Sequence, residues 1–204
     1  MDAQILIMGV VMANRGHTNP NDRRTRYTRS VIKQSLLELL REKPFEKITV
    51  TEICKVGDLN RGTFYLHYYD TWDVLDNLIT DALSDTSDII DHVLCPHREV
   101  CGYPLCEKIQ GNPTYHPLFL DETASSRMLN KIAECSKERF VTYLMDNSTL
   151  TQEQAESIFY FQIHGCMTVN RMMLKNHCTD WQSIQAVIDQ YIRGGLQQHL
   201  ITQK

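Results

Sequence analysis

Apolar residues near the front of the chain, Tyr27, Val31, Ile32, Leu36, Leu39 and Leu40, recur at spacings of three and four. That period marks one stripe of a helix from about Thr25 to Glu42, ended before Pro44. A much shorter helix follows. Thr49 with Glu52 forms a capping-box signature, Val50, Ile53 and Cys54 give a small buried face, and Gly57 is expected to take the left-handed conformation that closes it. Asn60 is a good N-cap for a third helix, Arg61 to about His67, and Asp70 for a fourth carrying Trp72, Val74, Leu75, Leu78 and Ile79. The pattern of the fourth continues through "DNLITDALSDTSDIIDHVL". Proline and glycine then interrupt the chain in "CPHREVCGYPLCEKIQGNPTYHP", which reads as a surface loop or short broken helix. Three further helical runs follow: "ETASSRMLNKIAECSKERFVTYLMD", "TQEQAESIFYFQIHGCMTVNRMMLKN" with Thr151 and Gln154 as a second capping box, and "DWQSIQAVIDQYIRGGL", expected to stop at Gly194 and Gly195.

These elements predict an all-α protein. Two short helices joined by a tight turn beneath a longer first helix match a helix-turn-helix unit. Such a unit buries only part of its second short helix, so Phe64 and Leu66 or Tyr68 turn inward while Arg61, Thr63, Tyr65 and His67 face out. Arg, Thr and Tyr are side chains that suit base edges and phosphate oxygens. Gly62 at the start of that helix permits close backbone approach. The sequence divides into a flexible extension at 1–22, a helix-turn-helix domain at 23–70 and a helical effector-binding and dimerisation domain at 71–204.

Charge sharpens the picture. The chain of 204 residues carries a net −4, but residues 15–61 hold 11 Lys or Arg against 6 Asp or Glu, a net of +5, leaving 10 against 19 elsewhere. A basic front on an acidic body can attract a polyanion, because charge is screened beyond about 8 Å at physiological salt. Seven cysteines without a CxxC pair fit a reducing cytosol better than a disulfide framework. "ILIMGVVMA", Ile5 to Ala13, follows an acidic residue and is too short to span a bilayer, so no membrane partner is expected and the location read is cytoplasmic.

The run "KPFEKITVTEICKVGDLNRGTFYLHYYDTWDVLDNLI" resembles the N-terminal DNA-binding domain of the TetR/AcrR transcriptional regulators, over about Arg24 to Leu83. The resemblance rests on the Thr-capped helix, the turn, and the Gly-Thr-Phe-Tyr core followed by a His and an aromatic. It implies that Thr49 and Thr51 touch phosphates, that Arg61, Gly62 and Thr63 lie against base edges, that Tyr65 reaches a phosphate or thymine methyl, and that His67 reaches a phosphate. Arg23, Arg24 and Arg26 would precede the first helix as a basic arm. Many family members carry Lys where the fourth helix begins; here Asp70 and Thr71 stand instead, so the phosphate contact there would rest on Thr71 and the helix N-terminus.

The last two long helices carry apolar groups on more than one side: Ile158, Phe161, Ile163, Cys166, Met167 and Val169 on one, Ile184, Val187, Ile188, Tyr191 and Ile192 on the other. Helices apolar around much of their circumference need partners on two faces, and a two-fold homodimer supplies them. The resemblance likewise implies a dimer on a palindromic double-stranded DNA operator, acting as a repressor released by an unknown small-molecule effector. Gln162, His164, Asn170 and Arg171 with Met128, Met145, Met172 and Met173 are candidate pocket residues, since Met-rich walls adapt to varied apolar ligands. His92, Cys95, His97, Cys101, Cys106 and His116 leave open a metal or redox sensor, although their spacings are looser than paired ligand hooks; no metal ligand set and no cofactor is assigned. A further alternative makes the body a protein-docking module, so that the chain acts as a co-activator or architectural factor. No nucleophile with an adjacent base, no paired carboxylates and no phosphate-binding Gly loop is found, so an enzyme is not expected.

Overall fold

The computed structural model describes residues 22–83 and 111–199. Among these residues there is no β-strand, and eight α-helices carry the architecture: α1 Arg23–Leu40, α2 Val50–Val56, α3 Arg61–Tyr65, α4 Thr71–Leu83, α5 His116–Leu120, α6 Glu122–Asn147, α7 Gln152–Lys175 and α8 Trp181–Gln197. Short 3-10 turns at Phe45–Lys47 and Pro113–Tyr115 complete it. The predicted continuation of α4 past Leu83, and His92, Cys95, His97, Cys101 and Cys106, lie outside the described residues.

Helix α1 starts two residues earlier than the hydrophobic period suggests. The Asp22 carboxylate accepts the Arg24 backbone N–H at 3.2 Å and so nucleates the first turn. Arg23, Arg24 and Arg26 are therefore helical and exposed instead of forming an extended arm. The helix stops at Leu40, and Pro44 instead begins the turn that buries Phe45. Tyr27, placed in the apolar stripe by its spacing, is 71% exposed, whereas Ile32, Leu36, Leu37, Leu39 and Leu40 are buried against α2 and α4.

Helix α2 carries the expected capping box: the Glu52 N–H donates to Thr49 Oγ1 at 3.3 Å, and the Thr49 N–H donates to Glu52 Oε2 at 3.0 Å. Its exit differs from expectation. Gly57 has φ −80°, and the left-handed residue is Asp58 at φ 49°. Asp58 N–H to Lys55 O and Leu59 N–H to Cys54 O then close a Schellman pattern, with aspartate where glycine is usual. What requires glycine at 57 is tertiary: a Cβ there would lie 2.9 Å from Ser35 Oγ and 3.1 Å from Val31 Cγ1, so α2 meets α1 at that point.

The core is continuous from head to body. Ile32, Leu36, Ile53, Phe64, Leu75 and Ile79 of α1–α4 form one cluster with Leu118, Met128, Ile132, Met173 and Trp181 of α5–α8. Helix α4 shares this core with α1. Helices α6 and α7, joined by a tight loop at Ser148–Thr151, pack as an antiparallel pair along roughly 35–40 Å. Their loop end holds a second cluster built on Phe140, Val141, Leu144, Ala155 and Phe159, with the two phenylalanine rings edge to face at 5.3 Å. Helix α8 is anchored by buried Trp181 and runs through Gly194 and Gly195 to Gln197. Neither glycine terminates it, since a glycine inside a helix costs only about 1 kcal/mol.

Candidate nucleic-acid interface

Helix α3 is five residues long and is positioned by three anchors. Phe64 is fully buried and packs against Tyr68, which is also buried. Asn60 caps the N-terminus, its Oδ1 accepting the Thr63 N–H at 2.7 Å and the Thr63 hydroxyl at 3.0 Å. Arg29 of α1 lies over the Tyr68 ring at 4.9 Å, donates to the Tyr68 hydroxyl at 3.3 Å and to Asn77 Oδ1 at 2.7 Å. One guanidinium thus joins the end of α3 to α1 and α4. The sequence left the inward residue open between Leu66 and Tyr68; Tyr68 takes the core, and Leu66 is 55% exposed.

Beside these inward rings, Arg61, Gly62 and Tyr65 are exposed. Arg61 donates from Nη2 to the Tyr65 hydroxyl at 3.2 Å and lies 5.9 Å over its ring, so the two exposed side chains hold one another extended. The hydrogen bond from Arg61 to Tyr65 also raises the already high guanidinium pKa. A fixed cation with remaining free donors suits guanine O6 and N7 or a phosphate. A Cβ added at Gly62 would press on Asn60 Oδ1 at 3.2 Å and meet no other side chain within 4 Å, so the outer side of Gly62 is open to a close-approaching surface. Thr63 is half-buried and spends its hydroxyl hydrogen on Asn60. What it retains for a ligand is an acceptor lone pair and a methyl group.

The flanking residues divide. Thr51 is exposed on the first turn of α2, and Thr49 is exposed beside it with its hydroxyl held by Glu52. Lys43 pairs with that same Glu52, and this hydrogen bond, with those from Thr49, pulls the carboxyl from 4.5 down to about 2. His67 is half-buried; burial first and the nearby Arg29 charge second lower its pKa, favouring the neutral ring. Thr71 is half-buried at the start of α4 between two carboxylates. Asp70 Oδ1 accepts the Asp73 N–H at 2.9 Å and Asp73 Oδ2 accepts the Tyr69 N–H at 3.0 Å, a reciprocal cap. Those carboxylates occupy the helix N-terminus and repel phosphate there. Arg24 and Arg26 stand exposed in the first turn of α1. Asp70 caps α4 as the sequence reading has it, with Asp73 completing the cap; Arg29 is legible only from the fold.

The structure of the fatty acid degradation regulator FadR from Bacillus halodurans superimposes with a TM-score of 0.57, at 15% identity over 90% of this chain and 96% of that one. A protein described as a TetR-family transcriptional regulator, from Syntrophomonas wolfei, superimposes with a TM-score of 0.51, at 15% identity over 84% of this chain and 91% of that one. The chain has the fold of the TetR-family regulators. In sequence, 50 residues are 34% identical to the HTH-type transcriptional regulator YxbF of Bacillus subtilis, itself uncharacterized. That match takes 24% of this chain and spans only 13% of the relative's length. No protein-family model matches the chain.

The residues read as a pocket differ in burial and position along α6 and α7. Met128 and Met173 are buried in the main core, and Asn170 is buried on α7 with its Nδ2 donating to Cys166 O at 2.8 Å. Gln162 is half-buried, while His164 and Met145 are exposed. Met128 and Met145 stand 17 residues apart on one helix, roughly 25 Å along its axis. Among the described residues no three His, Cys, Asp or Glu side chains come together as a metal site, and no helix is long and apolar enough to cross a membrane.

Proposed function

We propose that this chain is a DNA-binding transcriptional regulator, not an enzyme, that reads an operator with α3. The observation that carries the reading is the presentation of α3: Phe64 locked in the core, Asn60 capping the helix, and Arg61 and Tyr65 clasped outward beside a glycine that leaves room for a close surface. In this reading Arg61, Gly62 and Thr63 meet base edges, while Thr49, Thr51, Tyr65 and His67 meet phosphates or a thymine methyl. Arg24 and Arg26 meet the DNA backbone from the first turn of α1. Thr71 drops out, because the Asp70 and Asp73 carboxylates flank it.

The body completes the regulator as a homodimer. Phe161 and Met172 on α7 and Val187 and Tyr191 on α8 leave large apolar side chains exposed, two helices whose outer faces lack cover in a single chain. Pairing those faces across a two-fold axis would bury them and set two α3 helices on successive major grooves, about 34 Å apart, of a palindromic operator. Repression relieved by a small-molecule effector in the cytoplasm is the mode that the fold and the free cysteines support best.

The test is selection of duplexes from a random or genomic library by the purified chain, then binding titrations on the winner at several salt concentrations. A palindromic winner whose affinity falls steeply with salt supports the reading. Arg61→Ala should relax preference at one position per half-site by about 1–3 kcal/mol. Failure to enrich any sequence, with weak binding indifferent to salt, would overturn the proposal.

A further inference from the structure

Helices α4 and α6 are about 50 residues apart in sequence, yet they are joined by a row of polar contacts along the outer edge of the core. On α4 the row is Trp72, Asp76 and Thr80, each four residues from the next; on α6 it is Thr123, Arg127 and Lys131, again four apart. Spacing of four places each trio on one face of its helix. Arg127 pairs with both oxygens of Asp76, through Nε to Oδ1 and through Nη2 to Oδ2 at 2.7 Å, while its guanidinium lies 5.2 Å over the Trp72 ring. Lys131 Nζ donates to Thr80 Oγ1 at 2.6 Å. Thr123 donates to Glu46 Oε1 at 3.1 Å in the Phe45–Lys47 turn of the head. Asp121, which caps α6 through Ala124 N–H at 2.8 Å, also accepts the Phe45 N–H at 3.0 Å, and Phe45 packs edge to face on Trp72 at 4.6 Å.

Beneath this row the contact between head and body is apolar, through Val74, Leu75, Leu78 and Ile79 with Leu118, Met128 and Ile132. Apolar packing is not directional and tolerates small slides of one helix along another. A bidentate arginine–carboxylate pair is directional: it fixes both register and rotation. The Arg127–Asp76 pair is also partly solvent-exposed, so breaking it leaves no cavity and no buried charge.

We propose that Arg127 is a positioning residue: clamped on Asp76 and Trp72, it fixes the angle at which the α1–α4 head leaves the body, and thereby the half-site spacing that the dimer accepts. The inference rests on the DNA-reading proposal and deepens it by naming what sets the geometry of reading.

The test uses full-length chain and the duplex enriched by selection, together with duplexes carrying one or two base pairs inserted or removed between its half-sites. Each inserted pair moves one half-site by about 3.4 Å and turns it by about 34°. The parent should lose roughly tenfold or more in affinity with each such change, and Arg127→Asp and Asp76→Arg should each flatten the profile to about threefold or less. The double variant Arg127→Asp with Asp76→Arg restores the pair in reverse and should restore the sharp profile. A merely structural role would weaken all spacings together and leave their ratios alone. Single variants that stay folded by circular dichroism and keep the parental ratios overturn the proposal, as does a charge-swapped variant that stays as permissive as the single ones. Failure of the parent to enrich any duplex is a different result: it overturns the DNA-reading function, and this role with it.

Discussion

Gly57→Ala sets two effects against each other, and the structure says which should win. At φ −80° and ψ 1° alanine is an allowed residue. On backbone grounds the substitution should stabilise the protein by about 0.4–1 kcal/mol, by restricting the unfolded chain. The added Cβ, however, would sit 2.9 Å from Ser35 Oγ, 3.1 Å from Val31 Cγ1 and 3.3 Å from Ile53 O. Ser35 cannot swing away freely: it is buried and donates to Val31 O at 2.9 Å. Either α2 moves off α1 by a few tenths of an ångström or Ser35 breaks its bond, and forced overpacking of this kind costs about 1–3 kcal/mol. The net expectation is a loss of about 0.5–2 kcal/mol, a fall in midpoint of roughly 1–8 °C for a chain of this size. Thermal and urea denaturation followed by circular dichroism measures it. In a Ser35→Ala background, which removes the nearest atom, the same substitution should cost less. A Gly57→Ala protein as stable as its parent, or an equal cost in both backgrounds, would refute the close-approach explanation.

Three further outcomes follow from the head. Phe64→Ala removes a fully buried ring and should cost about 3–5 kcal/mol in chemical denaturation, with loss of operator binding at temperatures where the head has melted. Glu52, held at about 2 by Lys43 and Thr49, has a folded pKa below its ordinary 4.5; its contribution to stability is complete above 4.5 and is lost as pH falls through 2, so the stability gap between the parent and Glu52→Gln should close across that window and stay constant above it. His67, lowered by burial and by Arg29, likewise stabilises the free head above its ordinary 6.5 and destabilises it below; a phosphate at His67 would reverse the preference, so operator affinity should rise as pH falls below 6.5 in the parent and not in His67→Gln.

What could be read along the sequence was whatever is decided within one helical turn. The two capping boxes, Thr49 with Glu52 and Thr151 with Gln154, involve partners three residues apart and form as read. So does the cap at Asn60. The apolar period or a cap located every described helix but α5, because the stripe that makes a helix amphipathic is the one that packs; the five residues His116–Leu120 are too short to show a period. Errors arose where a residue has two uses. Glycine commonly supplies a left-handed residue, so Gly57 was expected to do so; Asp58 does it instead, and Gly57 is there for its missing Cβ, a requirement imposed by Ser35 some 20 positions upstream. Three arginines after a polar stretch resemble a solvated arm, yet one carboxylate, Asp22, suffices to wind them into α1. Gly194 and Gly195 resemble a stop, but α8 carries them as interior residues.

The candidate site was legible to the same degree, and for the same reason. The sequence reading has Arg61 and Tyr65 outward and Phe64 inward, as found; between Leu66 and Tyr68 only the fold decides, by burying Tyr68. What holds α3 in place is not written in the sequence: Arg29 reaches Tyr68 and Asn77 across 39 and 48 residues, and Arg127 reaches Asp76 across 51. No local period predicts such pairs, since a long charged side chain reads the same whether it is solvated or clamped. Helical spacing shows that Met128, Met145 and Met173 lie on helices without showing that Met128 and Met173 are buried in the core while Met145 is exposed. The side chains proposed to read DNA stand exposed on a short element, where sequence reveals them, while the polar pairs that tie α3 and α4 to the rest join residues distant in sequence, where only the fold does. The residues that select a base and the residues that select a spacing should accordingly be separable: changes at Arg61 alter which sequence is read, and changes at Arg127 alter how its halves must be placed.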